Sequence, residues 1–172
     1  NVTGLEDFRP ISATSILGRY RVSDFMLSNF TNSGIDSIKV YIKKQPRSMV
    51  EHIAKTDYNI NSKRGFIHLL FGEQNFSNND FYNVDIEAFK TYMEFVDVES
   101  PSYVVIAPNH FVYKQDFSEM VNEHIKSKND ITVLYQHVPN TADRDYLMCD
   151  VLSVDKNNHV TDFHKNRGKY KS

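Results

Sequence analysis

The residues placed to do chemistry are Asn109 and His110. They follow a short apolar run, Tyr103-Val104-Val105-Ile106-Ala107, that is broken by Pro108. A run of this kind reads as a buried parallel strand. In open α/β sheets, ligands bind just beyond the carboxyl ends of such strands. A carboxylate there would hold a divalent cation, yet the polar residue offered is an amide. Other chemistries are less well served. There is no C-x-x-C, no H-E-x-x-H and no pair of histidines at ligand spacing on one helix. His52 and His124 fall inside expected helices, where a satisfied or surface histidine is the ordinary case. The six glycines never cluster into a loop whose amides would cradle a phosphate. No G-x-S-x-G elbow occurs, although a nucleophilic triad assembled from distant residues stays open. Cys149, on an expected strand, reads as an inert core thiol.

The elements that must position these residues are legible as periodicity. Val22, Phe25, Met26 and Asn29 mark one face of a helix over Val22 to Thr31, with Ser23 or Asp24 as N-cap and Gly34 as its stop. Ser37 to Ile42, SIKVYI, predicts a strand, and Pro46 opens a second helix, PRSMVEHIAK. Phe66 to Phe71, FIHLLF, predicts a strand, residues 72–83 a polar loop, and Val84 to Val96 a helix. Tyr103 to Ala107 is the strand described above. Asp116 to Lys126 is an Asp-capped helix with a stripe of Phe117, Met120, Val121, His124 and Ile125. Ile131 to Gln136 predicts a strand, and DVLSVDKNNHVTDFH a hairpin turning at Lys156-Asn157-Asn158. Strands alternating with helices predict an α/β fold with a mostly parallel mixed sheet and helices on both faces.

The totals narrow the function classes. With 172 residues, 40% of them hydrophobic, the chain is long enough for one domain with a real core. A net charge of −2 gives no bulk electrostatic support for nucleic-acid binding. No apolar run approaches the ~20 residues of a membrane span, and Asp7 and Arg9 interrupt any signal-peptide core. A single cysteine excludes an internal disulfide and fits a reducing compartment, so a cytoplasmic location is expected. A start at Asn1 without Met and a basic tail, NRGKYKS, fit a piece of a longer protein.

Three segments carry a resemblance. GRYRVSDFMLSNFTNSGI, Gly18 to Ile35, resembles G-[KR]-[YF]-R-I-I-D-F-x-L-S-N-x-x-N-S-G-I of the bacterial glucose-1-phosphate adenylyltransferases (ADP-glucose pyrophosphorylases). YVVIAPNHFVYKQDFSEMVNEHIKSKNDITV resembles a later stretch of that family that contains G-D-H, and VLSVDKNNHVTDF resembles its strand pair. The resemblance covers almost the whole chain. It implies a Rossmann-like nucleotidyltransferase (nucleotide-diphospho-sugar transferase) fold over residues 1–172. That is roughly the first two-thirds of the family's nucleotidyltransferase domain, with its left-handed β-helix beyond Ser172. The implied reaction joins ATP and glucose 1-phosphate into ADP-glucose and pyrophosphate for glycogen synthesis, with Mg²⁺ neutralising developing charge.

The substrate-facing motifs of the family are altered. Its opening loop, G-G-x-G-x-R-L-x-P-L-T, meets only NVTGLEDF, in which Gly4 is the single glycine. Its R-A-K-P-A-V meets Arg9-Pro10-Ile11-Ser12-Ala13-Thr14, so Ile11 stands at the lysine. The Asp of G-D-H aligns with Asn109 and the Gly before it with Pro108. Mg²⁺ prefers anionic oxygen, and a neutral amide is a poor replacement. The loop W-x-x-G-T-A-D-A meets FYNVDIEAF and keeps only an acidic helix start at Val84-Asp85-Ile86-Glu87-Ala88.

This pattern resembles the D-type second subunit found beside the catalytic subunit in Gram-positive bacteria, which also reads R-P-[IV]-[AS]-S before G-R-Y-R. The resemblance implies a catalytically silent, regulatory-type subunit with no catalytic residue of its own. Arg9, Asn109 and His110 form a vestigial substrate and metal edge, and no metal is held. The implied partner is the catalytic glucose-1-phosphate adenylyltransferase subunit in a hetero-oligomer, to which Mg²⁺ belongs. An effector, where there is one, would be a sugar phosphate or nucleotide, and neither nucleic acid nor membrane is expected. Two rival readings are an active sugar-nucleotidyltransferase with an altered metal site and a sensor of sugar phosphates or nucleotides. Arg19, Arg21 and Asp24 read as structural ion pairs or caps, and Leu27, Phe30 and Ile35 as core or interface.

Overall fold

The computed structural model describes residues 9–42, 45–56, 58, 66–71, 89–94, 100–138, 146, 147 and 149–167. The expected loop at 72–83, the helix start at 84–88 and the segment around Gly4 lie outside these residues. The chain divides into two compact units, Asn1–Ile131 and Thr132–Ser172.

The first unit is built on a buried helix. A 3₁₀ turn, Ile11–Ala13, leads into a small antiparallel pair, β1 (Ser15–Ile16) and β2 (Tyr20–Arg21). Leu17 and Gly18 turn the pair with positive φ, 52° and 74°. Helix α1 (Val22–Asn32) follows at once. It begins two residues earlier than a Ser23 cap implies and three earlier than an Asp24 cap. Arg21 precedes it in extended conformation, and the Asp24 carboxylate accepts from the Arg21 backbone N–H at 2.8 Å. Asp24 thus serves the helix start from the third helical position, as the acidic half of a capping box does. The chain leaves α1 through Gly34 at φ 76°, a left-handed conformation that glycine adopts without a Cβ clash.

β3 (Ser37–Ile42) and β4 (Phe66–Phe71) pair in parallel, with Ser37 opposite Phe66 and Ile42 opposite Phe71. Helix α2 (Arg47–Ile53) lies between them in sequence and follows Pro46. Alternation along β3 buries Ile38, Val40 and Ile42, which join Ala13, Leu27 and Met49 in the core. Phe30, Ile35, Ile53, Tyr58, Ile67 and Leu69 pack around this cluster. Leu27 therefore belongs to the core, with Phe30 and Ile35 at its margin. Residues 89–91 and 93–94, within the expected second-half helix, are helical.

Two expected strands do not form ladders. Tyr103 to Ala107 and Ile131 to Gln136 lie outside any strand. Val104 is 59% exposed, Ile106 66% and Ile131 79%. β-branched composition favours extended backbone, but a strand also needs a neighbour with unspent N–H and C=O groups. Among the described residues no strand lies in register with either segment. Helix α3 (Phe117–Ser127) follows, capped by Asp116, whose carboxylate accepts from the Ser118 backbone N–H at 2.9 Å. Phe117 is buried, and the remainder of the expected stripe ranges from half-buried to exposed, with Ile125 45% exposed.

The second unit is a hairpin of β5 (Asp150–Val154) and β6 (Val160–Lys165). Asp155 organises the turn: its Oδ1 accepts from the backbone N–H of Asn157 and of His159, both at 2.8 Å. These bonds, that to His159 first, hold its carboxyl below the usual carboxylate range. Asn158 takes a positive φ of 62° there. Cys149 precedes β5 and is exposed, which corrects its reading as a core thiol. The Cys149 carbonyl still accepts from the Asn166 N–H at 2.9 Å, but the adjoining strand is itself largely exposed, with Val151 at 41%. No described helix is long and apolar enough to cross a membrane.

Candidate functional site

Asn109 and His110 are brought together in one turn, after Pro108. Asn109 is half-buried and His110 exposed, with the His110 ring 4.5 Å from that of Phe111. Arg9 is exposed on a different segment, ahead of Pro10, and among the described residues no hydrogen bond or ion pair joins it to the turn. Ile11 and Ser12 follow it in the 3₁₀ turn, Ser12 buried, so an apolar side chain occupies the position where the resemblance implies a lysine.

A Mg²⁺ ion fits this turn poorly. Its one half-buried polar side chain, Asn109, is neutral, and a hard dication is held chiefly by carboxylates. Among the described residues no three His, Cys, Asp or Glu side chains converge. The donor set at the turn therefore supports no chemical step through a metal.

The turn is held from the chain that follows it. Asn29, buried on α1, donates from Nδ2 to the carbonyl of Tyr113 at 2.8 Å, and its Oδ1 accepts from the Gln115 backbone N–H at 3.3 Å. Ser33 Oγ accepts from the Phe117 backbone N–H at 2.8 Å and donates to the Asn29 carbonyl at 2.6 Å. The Phe30 and Phe117 rings lie 5.0 Å apart. Tyr113 Oη reaches Met26 Sδ at 3.9 Å, and burial raises its phenol above the usual value. Periodicity places Asn29 on the apolar stripe of α1 without assigning it a partner. An amide on a buried helix face was the available signal, because a buried polar group has to find hydrogen bonds.

At the other end of α1, Asp24 is a buried hub. His52 Nε2 lies 2.7 and 2.9 Å from its two oxygens, Tyr58 Oη donates to Oδ1 at 2.7 Å, and Arg21 N–H completes the set. Burial first, then the bond to Asp24 and its charge, push the Tyr58 phenol far above its ordinary value. Arg21 Nη1 donates to the Ala13 carbonyl and to Ser15 Oγ, while Arg19 lies over the Tyr20 ring. The Asp24 and Arg21 bonds hold α1, α2 and the β1–β2 pair together, in keeping with a capping role, while Arg19 shows a ring contact rather than an ion pair among the described residues. His52 is a satisfied, half-buried histidine, and His124 packs edge-on against Tyr103.

A second depression lies at the carboxyl ends of β3 and β4. It measures about 580 Å³ and is lined by Gln45, Pro46, Arg47, Val50, Glu51 and Phe71. Its charged groups are spent on each other: Arg47 Nε donates to Glu51 Oε1 at 2.9 Å. An open apolar hollow with a self-paired rim offers little to fix a ligand's orientation.

The family comparisons agree with this architecture. The Nucleotidyl transferase profile matches residues 9–164. Glucose-1-phosphate adenylyltransferase of Dechloromonas aromatica is 30% identical over 160 residues, 92% of this chain and 36% of the relative. That of Clostridioides difficile is 33% identical over 128 residues, covering 74% of this chain and 33% of the relative. That of Pectobacterium carotovorum is 30% identical over 161 residues, covering 93% and 37%. The chain spans about a third of the length of these curated relatives. Mixed parallel and antiparallel strands interleaved with helices, and a match over residues 9–164, are the features of a Rossmann-like nucleotidyltransferase domain. This chain belongs to the nucleotidyl transferase family.

Proposed function

We propose that this chain is part of a regulatory-type subunit of glucose-1-phosphate adenylyltransferase, itself catalytically silent, that supports ADP-glucose synthesis for glycogen by a catalytic partner. One observation carries the reading. The turn that the resemblance assigns to metal and substrate keeps its supporting frame, yet presents neutral Asn109 after Pro108. Loss of the carboxylate removes several kcal/mol of support for a cation beside a triphosphate, by order of magnitude. Ile11 in place of a lysine weakens phosphate binding in the same direction. The similarity to glucose-1-phosphate adenylyltransferases supports the substrate class. The partner is then the catalytic subunit, in a cytoplasmic hetero-oligomer, with a sugar phosphate or nucleotide as the kind of effector the assembly would answer to.

The test is a pyrophosphate-release assay with ATP, glucose 1-phosphate and Mg²⁺. The chain alone should release none. Added to the catalytic subunit from the same organism, it should alter that subunit's kcat or its response to effector. Turnover by the chain alone sinks the reading and favours an active sugar-nucleotidyltransferase with an altered metal site.

A further inference from the structure

We propose that Asn29 and Ser33 are positioning residues for the Pro108-Asn109-His110 turn. Asn29 does the work that one residue of a neighbouring parallel strand would do. In a parallel ladder, one residue donates its N–H to the carbonyl of residue j−1 and accepts from the N–H of residue j+1. The Asn29 side chain reproduces that pattern around Lys114: its Nδ2 donates to the Tyr113 carbonyl, and its Oδ1 accepts from the Gln115 N–H. Ser33, one helical turn on, takes the next N–H along the segment that points its way, that of Phe117. Helix α1 and its C-terminal cap residue, Ser33, thereby supply through two side chains an anchor that no described strand supplies.

The anchor is close enough to set the turn. Tyr113 is three residues beyond His110, a separation that spans at most about 10 Å when fully extended. The segment enters α3 directly afterwards, through the Asp116 cap and buried Phe117. The Pro108-Asn109-His110 turn is therefore tethered on its downstream side to the most buried helix of the unit. The same inference explains two letters of the α1 motif. Asn29 and Ser33 stand in L-S-N-x-x-N-S-G because they hold the second motif, not because they meet a ligand. The functional meaning rests on the proposed reading of the turn as a ligand edge, but the anchoring itself does not.

The experiment compares the full chain with its Asn29→Leu and Ser33→Ala variants by residue-resolved amide hydrogen exchange. Ser23→Ala is the control, being buried in α1 and bonded to Met49 rather than to the segment. Asn29→Leu should speed exchange at Gln115, and Ser33→Ala at Phe117, each by about tenfold or more beyond any change seen in β3 and the first half of α1. Ser23→Ala should leave both amides as they are. Unchanged exchange at Gln115 and Phe117 overturns the proposal. So does a rise spread evenly through α1 and β3, which is the signature of lost packing. A second arm installs Asn109→Asp and measures Mn²⁺ affinity in the presence of ATP. Adding Asn29→Leu should weaken that affinity by about 10–100-fold, as loss of an outer-shell support does, and adding Ser23→Ala should not. An affinity unchanged by Asn29→Leu overturns the proposal. If Asn109→Asp gains no Mn²⁺ affinity while the exchange result holds, the anchoring stands and the reading of the turn as a metal edge fails.

Discussion

Two apolar segments of the first unit have similar composition and opposite fates. SIKVYI, β3, pairs with β4 over six residues and buries Ile38, Val40 and Ile42 to 3–7% exposure. YVVIA, Tyr103 to Ala107, is as rich in β-branched residues, yet joins no ladder among the described residues and leaves Ile106 66% exposed. The difference lies in what surrounds each. β3 has a strand on one edge and α1 and α2 over one face. The second segment has no strand beside it among the described residues, and the Asn29 side chain holds the chain only further on, at Tyr113 and Gln115. β-character in a sequence measures fitness for a pleated, half-buried surface, and the surface has to be supplied by other parts of the chain. The candidate turn, Pro108-Asn109-His110, thus hangs between a segment outside any ladder and a strongly anchored one.

The largest test of this contrast is truncation of one apolar side chain on each side of it. Leu27→Ala, at 3% exposure, should cost about 2–5 kcal/mol in urea unfolding, because the site sits in the centre of the core. Ile106→Ala should stay within about 0.5 kcal/mol, the usual range for a surface site. Equal losses would show that Tyr103 to Ala107 is packed after all. Next in size is Asn29→Leu, which leaves the Tyr113 carbonyl and the Gln115 N–H without their partner. It should cost about 1–3 kcal/mol by the same measurement.

A smaller effect appears on the alkaline side. Tyr58 keeps its proton in the folded state far above the value at which the unfolded tyrosine loses it, about pH 10. A raised folded pKa means that the contribution is fully present below pH 10 and is lost as pH climbs beyond it. Thermal midpoints should therefore fall above about pH 10, and Tyr58→Phe should flatten that fall. A Tyr58→Phe profile as steep as that of the parent chain would break the assignment. Smallest of all, Arg47→Ala should leave the midpoint unchanged, since its pair with Glu51 is fully exposed and screened by water.

Much of the frame was legible in the sequence. The bounds of β3 and β4, the Gly34 exit from α1, the Asp116 cap and the turn at Lys156-Asn157-Asn158 all follow from local rules of periodicity, capping and turn chemistry. The misses are of another kind. Asp24 looked like an N-cap and serves from the third helical position, because Arg21 takes the extended conformation just ahead of the helix. His52 is satisfied, as its helical position suggests, but local rules do not name its partner, Asp24, 28 residues earlier. Cys149 looked like core and is exposed, since the hairpin strand it adjoins faces solvent, with Val151 41% exposed.

Local order along this chain was set by the sequence itself, because capping, glycine at positive φ and period-2 burial depend on neighbours within a few residues. Which apolar segment became a strand, and which polar side chain holds Tyr113 and Gln115, was decided only by tertiary structure. Those outcomes depend on groups brought together from 84 to 86 residues apart, as Asn29 and Ser33 are with Tyr113, Gln115 and Phe117. A backbone N–H is satisfied by whatever acceptor the fold places beside it, and residue order alone does not name that acceptor.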